Sequence, residues 1–120
     1  GGATNFLTGV GGYLQGVVMG YAGLRIHDDH LALRPTLVEG ATRIAVRGMR
    51  YRGASLHITY DEATLTLEVA QAPVSRCIEV AGAASDPQQV AEGERVELAI
   101  STTKGLSTVF TLRLVVCRSA

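Results

Sequence analysis

The sequence of this 120-residue chain predicts a mainly β protein, an antiparallel β-sandwich preceded by one apolar helix. Two observations support this prediction. The first 24 residues carry no charged side chain, and their apolar residues recur at helical spacing. From Leu31 onward the period changes to two, and short strand-like runs alternate with turn residues. We therefore divide the chain into two parts, residues 1–26 and residues 27–120.

The predicted helix lies within residues 1–26 and is apolar on all sides, so it must be buried. Its apolar positions are Phe6, Val10, Tyr13, Leu14, Val17, Val18 and Tyr21. Glycine costs roughly 1 kcal/mol against alanine inside a helix, so the glycines here need close contact with another backbone. Thr4 or Asn5 is placed to cap the helix, and Gly23 to end it at positive φ. No later segment resembles a helical partner, which places the expected partner upstream of Gly1.

Eight strands are expected after the helix, and turn residues separate them. We predict strands over residues 31–34, 43–47, 49–52, 55–60, 64–70, 76–80, 95–100 and 107–116. The turns at 52–54 and 61–63 have the length that hairpins use, and both contain turn-forming residues. Because no helical pattern interrupts these strands, they favour an antiparallel β-sandwich.

Composition excludes several classes of partner. The formal net charge is zero and only 5% of residues are aromatic, so we expect no nucleic-acid partner. The apolar opening approaches the ~20 residues of a membrane span, but its polar residues and glycines lower the mean hydropathy, and we expect no membrane partner. It also lacks the basic region and cleavage site of a signal peptide. A cytoplasmic location follows as an expectation.

No group of residues in the sequence has the pattern of a catalytic, metal or cofactor site. The densest candidate ligands are His27, Asp28, Asp29 and His30, but consecutive residues point in different directions and cannot all reach one ion. The acidic pairs Asp28/Asp29, Asp61/Glu62 and Glu92/Glu94 lie in predicted turns and read as surface residues. We therefore expect no catalytic residue, no metal and no cofactor within these 120 residues.

Two further features leave alternatives open. Arg43, Arg47, Arg50 and Arg52 fall within ten residues that contain no acid. They form either an anion or partner patch or, as we favour, the solvated face of an edge strand that resists aggregation. Cys77 and Cys117 lie in strand-like runs 40 positions apart. They either pair in an oxidising compartment or, as the low cysteine density favours, remain buried thiols.

Two groups of residues resemble a known family, the family-65 glycoside hydrolases. Residues 2–9, 11–15 and 20–25 (GATNFLTG, GGYLQ and GYAGLR) resemble the end of that family's catalytic α/α-barrel. Residues 33–37, 49–53 and 56–58 (LRPTL, MRYRG and LHI) resemble its jelly-roll-like C-terminal β-sandwich. The likeness extends to about Val69. Within the family, the residues of the first group are most similar to those of an animal enzyme that removes glucose from glucosylgalactosyl-hydroxylysine of collagen.

The resemblance implies a role for each part of the chain. Residues 1–26 would be the last inner helix of an α/α-barrel that lies upstream, and residues 27–120 a non-catalytic C-terminal domain. The parent protein would be an inverting α-glucosidase-type hydrolase, with a carbohydrate substrate bound by the barrel and both catalytic carboxylates upstream. Because the sugar pocket of such barrels lies where the inner helices begin, Thr4 and Asn5 would approach the substrate.

Other functions remain open at this point. A disaccharide phosphorylase or an acid trehalase of the same family would share these residues. A hypothesis from a different class is that the chain is a free-standing β-sandwich interaction module with an N-terminal membrane or oligomerisation helix.

Overall fold

The computed structural model of the chain describes residues 8–10, 13–15, 23–37, 39–82, 86–103 and 105–119. These residues form strands, turns and loops, and none of them lies in a helix. The strands are β1 (Thr8–Val10), β2 (Tyr13–Gln15), β3 (Leu24–Ile26), β4 (Leu31–Leu33), β5 (Arg43–Tyr51), β6 (Ala54–Tyr60), β7 (Thr64–Gln71), β8 (Arg76–Ala81), β9 (Gln88–Val90), β10 (Arg95–Ala99), β11 (Thr102–Thr103), β12 (Leu106–Ser107) and β13 (Phe110–Val116).

The strands form two main sheets that share one hydrophobic core. One sheet has the order β1-β2-β5-β6-β7-β10, the other has the order β3-β4-β13-β8-β9, and β11 pairs with β12 separately. All pairings are antiparallel except that of β2 with β5. The core takes Ile44, Leu56, Ile58 and Leu67 from the first sheet and packs them with residues such as Leu31, Leu33, Val80 and Phe110 of the second. The mainly β, antiparallel prediction is confirmed.

Alternation along the strands produces this core. Every second residue of β6 is buried, from Ala54 to Tyr60, and the residues between them are partly exposed. The predicted strands 43–47 and 49–52 are one strand, β5, whose register shifts between Val46 and Met49. Gly48 lies in this bulge with a φ of 66°, and its N–H donates to His57 Nδ1 at 2.8 Å. Gly48, which separated two predicted strands, therefore lies at a bulge within one continuous strand.

The helix predicted in residues 1–26 is not found where the structure describes that segment. Thr8–Val10, Tyr13–Gln15 and Leu24–Ile26 are strands, and the remaining residues up to Ala22 lie outside the described residues. Threonine, valine and tyrosine favour extended backbone, while glycine weakens a helix that lacks packing partners. Gly23 has positive φ, as predicted, but it directly precedes strand β3. Its carbonyl accepts the Arg34 N–H at 3.1 Å. A Cβ at this glycine would collide with the Arg34 carbonyl oxygen.

The two cysteines form a disulfide, so the expectation of buried thiols was wrong. Cys77 is the second residue of β8 and lies opposite Val115 of β13, and Cys117 directly follows β13. The antiparallel pairing therefore brings the two Cα atoms to 5.1 Å although 40 positions separate them in sequence. Low cysteine density did not predict this pairing because it carries no information on which strands become neighbours.

Candidate functional site

The sandwich has two ends with different character. The Asp61 end consists of segments 34–37, 41–43, 61–63, 100–103 and 105–107, which include the first residue of β5 and the short strands β11 and β12. The Gly53 end consists of turn 52–53, segments 72–76 and 91–94 and the tail 117–119. At the Gly53 end the disulfide is joined by a hydrogen bond from the Cys117 N–H to the Ser75 carbonyl at 2.9 Å. The Gln89 side chain also bonds both the N–H and the carbonyl of Arg118, at 2.7 and 3.1 Å. The tail is thus fixed to the second sheet.

The Asp61 end contains several hollows, and two of them adjoin at Leu37. The larger has a volume of about 580 Å³ and is lined by residues that include Leu37, Arg43 and Glu62. The smaller has a volume of about 290 Å³ and is lined by residues that include Arg34, Leu37 and Ile100. Leu37, Asp61 and Glu62 border both hollows. Because these hollows lie at the Asp61 end, it is our candidate site.

Tyr60 holds the loop that forms one wall of the site. Its hydroxyl donates to the Thr36 carbonyl at 2.9 Å and accepts the Thr36 N–H at 3.3 Å. Burial raises the pKa of Tyr60 to about 12, and the bond to Thr36 offsets part of that shift. Ser107 fastens the same loop: its hydroxyl donates to the Pro35 carbonyl at 2.8 Å, and its own carbonyl accepts from Arg34 Nη1 at 3.2 Å. Residues distant in sequence thus form one rigid surface.

Asp61 builds the neighbouring wall. Its Oδ1 accepts the N–H groups of Ala63 and Thr64, both at 2.8 Å, and closes the turn between β6 and β7. These two bonds, of which the bond from Ala63 has the larger effect, hold the pKa of Asp61 below its ordinary value. The positive charge of Arg43 lowers the pKa further. Glu62 makes no hydrogen bond or ion pair among the described residues. The site thus presents a fixed carboxylate, an unpaired carboxylate and Arg43 around Leu37.

This arrangement does not suit acid–base hydrolysis. A glycosidase acid needs a raised pKa and a second carboxylate across a sugar-sized gap. Asp61 and Glu62 are adjacent in sequence, and the pKa of Asp61 is lowered. In the part of the chain that the structure describes, Asp29 also has a lowered pKa, because its Oδ1 lies 2.8 Å from His30 Nδ1. What the Asp61 end offers is a polar surface with apolar side chains at its centre.

The other candidate residues lie apart from this site. His27 and His30 stack with ring centroids 4.4 Å apart in the turn between β3 and β4, and the described residues contain no group of three or more ligands able to hold a metal ion. Arg47 and Arg50 are exposed on β5, and Arg52 lies over the Tyr51 ring at 5.8 Å. Thr4 and Asn5 lie outside the described residues. Among the described residues, no helix is long and apolar enough to cross a membrane.

The position of β5 corrects the interpretation of the arginines. We expected an edge strand, but β5 lies inside its sheet between β2 and β6. Only Arg43–Ala45 pair with β2, so Arg47 and Arg50 lie on the part of β5 that has β6 alone as a described neighbour. The four arginines therefore do not form one patch. Arg43 belongs to the Asp61 end, and Arg52 belongs to the Gly53 end.

Sequence reasoning missed Arg34, Leu37, Tyr60 and Ile100 as parts of one surface. The signal available was weak: Tyr60 ends a strand directly before Asp61, and Pro35 stiffens the opposite loop. Nothing in the local pattern shows that loops 34–37 and 100–107 meet, because this depends on how the two sheets pair and pack.

Comparison with known proteins identifies relatives. Residues 24–83 match the family model described as glycosyl hydrolase family 65, C-terminal domain. Protein-glucosylgalactosylhydroxylysine glucosidase of Dictyostelium discoideum is 45% identical over 69 residues, which cover 58% of this chain. The proteins of the same name from Gallus gallus and Mus musculus are 36% and 37% identical over 61% and 57% of this chain. The matches cover only 10% of each relative. No solved structure matches significantly.

Proposed function

This chain belongs to glycosyl hydrolase family 65, and from that membership we propose that it is the C-terminal part of an inverting α-glucosidase-type hydrolase. The substrate is an α-linked glucosyl disaccharide unit, glucosylgalactosyl-hydroxylysine. The observation that carries this proposal is the 45% identity to the Dictyostelium glucosidase of that name. The β-rich domain itself is structural and non-catalytic, which agrees with the lowered pKa of Asp61 in its candidate site.

We assign residues 1–26 to the end of the upstream catalytic α/α-barrel and residues 27–120 to a jelly-roll-like C-terminal sandwich. The start of the family match at Leu24 supports a boundary near residue 26. The strands at Thr8–Val10 and Tyr13–Gln15 are at odds with a helix in this segment. Backbone NMR chemical shifts of residues 1–26 within the complete protein distinguish the two conformations, because they differ between helix and strand.

The test of the function uses the complete gene product. Glucose should be released from glucosylgalactosyl-hydroxylysine, with β-glucose as the first anomer detected by NMR, because an inverting enzyme places water on the opposite face of the sugar. The 120-residue chain is the control and should release none. Release from trehalose alone would indicate an acid trehalase, and a requirement for phosphate would indicate a phosphorylase. Either result would overturn the proposed substrate and reaction.

Thr4 and Asn5 remain proposed neighbours of the sugar pocket. Serine caps a helix about as well as asparagine, so Asn5→Ser separates a capping role from a substrate role. If Asn5 serves the pocket, turnover should fall by about tenfold or more while the melting temperature holds. Unchanged kinetics in the stable variant would exclude a substrate contact.

A further inference from the structure

Two described segments that precede β4 in sequence contact the sandwich at the Asp61 end. Strand β2 runs parallel to the first residues of β5, with Tyr13 opposite Arg43. Gly23, the next described residue after the β2 segment, bonds Arg34 through its carbonyl at 3.1 Å. Both contacts lie beside the two hollows. The first residue of β2 and Gly23 therefore both lie at the Asp61 end, whereas β1 runs antiparallel to β2 and begins at Thr8, opposite Gln15.

The same end has the composition of an interface between domains. Leu37 and Ile100 are partly buried apolar side chains that pack against the core from beside the hollows. Arg43 and Glu62 surround them and form no ion pair with described residues. An apolar centre with a charged rim is typical of protein interfaces, and interfaces between domains of one chain are more polar than obligate ones.

The Gly53 end does not offer such a surface. Its tail is fixed by the disulfide and by the bonds between Gln89 and Arg118. Val74 is 92% exposed there, but a single exposed apolar residue is common on protein surfaces.

We propose that the Asp61 end, formed by Leu37, Arg43, Asp61, Glu62 and Ile100, is the docking surface for the upstream catalytic domain. This inference rests on the proposed function in one respect: it takes the upstream catalytic domain as the partner that occupies the docking surface. The matched relatives support that occupant, because the matches cover only a tenth of their length and the family model describes a C-terminal domain. The charges of Arg43 and Glu62 pair with charges of that domain, and Leu37 is covered by it.

Amide hydrogen exchange tests the surface without relying on activity. Peptides covering residues 34–43 and 58–64 should exchange about tenfold or more slowly in the full-length protein than in the 120-residue chain. Peptides covering turn 52–53 and loop 72–76 should exchange equally in both. Equal exchange at the Asp61 end, or protection at the Gly53 end instead, would overturn the proposal. Protection that appears only at high protein concentration, or only after a glucosyl-galactose ligand is added, would also overturn it.

A charge reversal tests the role of the rim. Glu62→Arg in the full-length protein should speed exchange at residues 34–43 by about fivefold or more, because it reverses the charge that pairs with the upstream domain. Arg47→Glu, at another exposed position that lies on β5 and does not line the hollows, is the matched control and should leave the protection intact. The same substitutions in the 120-residue chain should leave exchange at 34–43 unchanged. Full protection in Glu62→Arg would refute the charge pairing. A protected but inactive full-length protein would leave this interface in place while refuting the proposed activity.

Discussion

Loss of the Cys77–Cys117 disulfide should destabilise this domain by several kcal/mol. The bond closes a loop of 40 positions that runs from β8 through β9, β10 and β13. In the chain-entropy account, closing a loop of this length removes about 13 cal/mol/K from the unfolded state, or about 4 kcal/mol at 25 °C. The unfolding entropy of roughly 100 ordered residues is about 0.2 kcal/mol/K, so the melting temperature should fall by about 20 °C.

The assay is differential scanning calorimetry of the 120-residue chain with and without a phosphine reductant. Cys117→Ser should show the lowered melting temperature without reductant, because serine cannot pair with Cys77. Reductant should have no further effect on this variant, which controls for other actions of the reagent. Two titratable thiols in the unreduced, denatured wild-type chain would refute the pairing. A shift under about 5 °C would refute the loop-closure argument.

Three smaller effects follow from single contacts. Tyr60→Phe removes the hydroxyl that bonds both backbone groups of Thr36, and it should lower the free energy of unfolding in urea by about 1 kcal/mol. Because the pKa of Tyr60 is raised to about 12 in the folded protein, the stability of the wild type should also fall as the pH rises from 10 to 12. Gly23→Ala should cost more than Gly40→Ala by about 1 kcal/mol or more, since both have positive φ but only the first would meet the Arg34 carbonyl. Asp61→Asn should be less stable than wild type at pH 7, and this difference should disappear as the pH falls below 3.8 through the lowered native pKa.

The strands were predictable because their alternation reflects burial on one face. Residues 55–60 and 64–70 were predicted within one residue of the strands observed, and Asp61 marks the turn between them. The family was also predictable, because the LRPTL and MRYRG stretches belong to the matched C-terminal domain. Both kinds of pattern are local, because each one involves residues only a few positions apart in the sequence.

The surface at the Asp61 end could not be predicted from such patterns. Tyr60 and Thr36 are 24 positions apart, and Arg34 and Ser107 are 73 apart, yet each pair is hydrogen bonded. These contacts depend on the order of strands in both sheets, which alternation does not specify. The helix prediction failed at residues 8–10 and 13–15 for a related reason, since apolar periodicity does not show whether a partner is present to stabilise a glycine-rich helix.

The disulfide makes the cytoplasmic expectation testable by a property of the domain itself. A cytosolic glutathione pool keeps most thiols reduced, whereas disulfides persist in oxidising compartments. If the protein is cytoplasmic, Cys77 and Cys117 should be alkylated when its own cells are lysed in denaturant with a thiol-blocking reagent, since Cys77 is buried in the folded domain. The domain would then lose the roughly 4 kcal/mol of loop closure and would depend more on its contact with the catalytic domain. A protein isolated with both cysteines protected from alkylation would contradict the cytoplasmic location, because a structural disulfide of this kind forms where an oxidant maintains it.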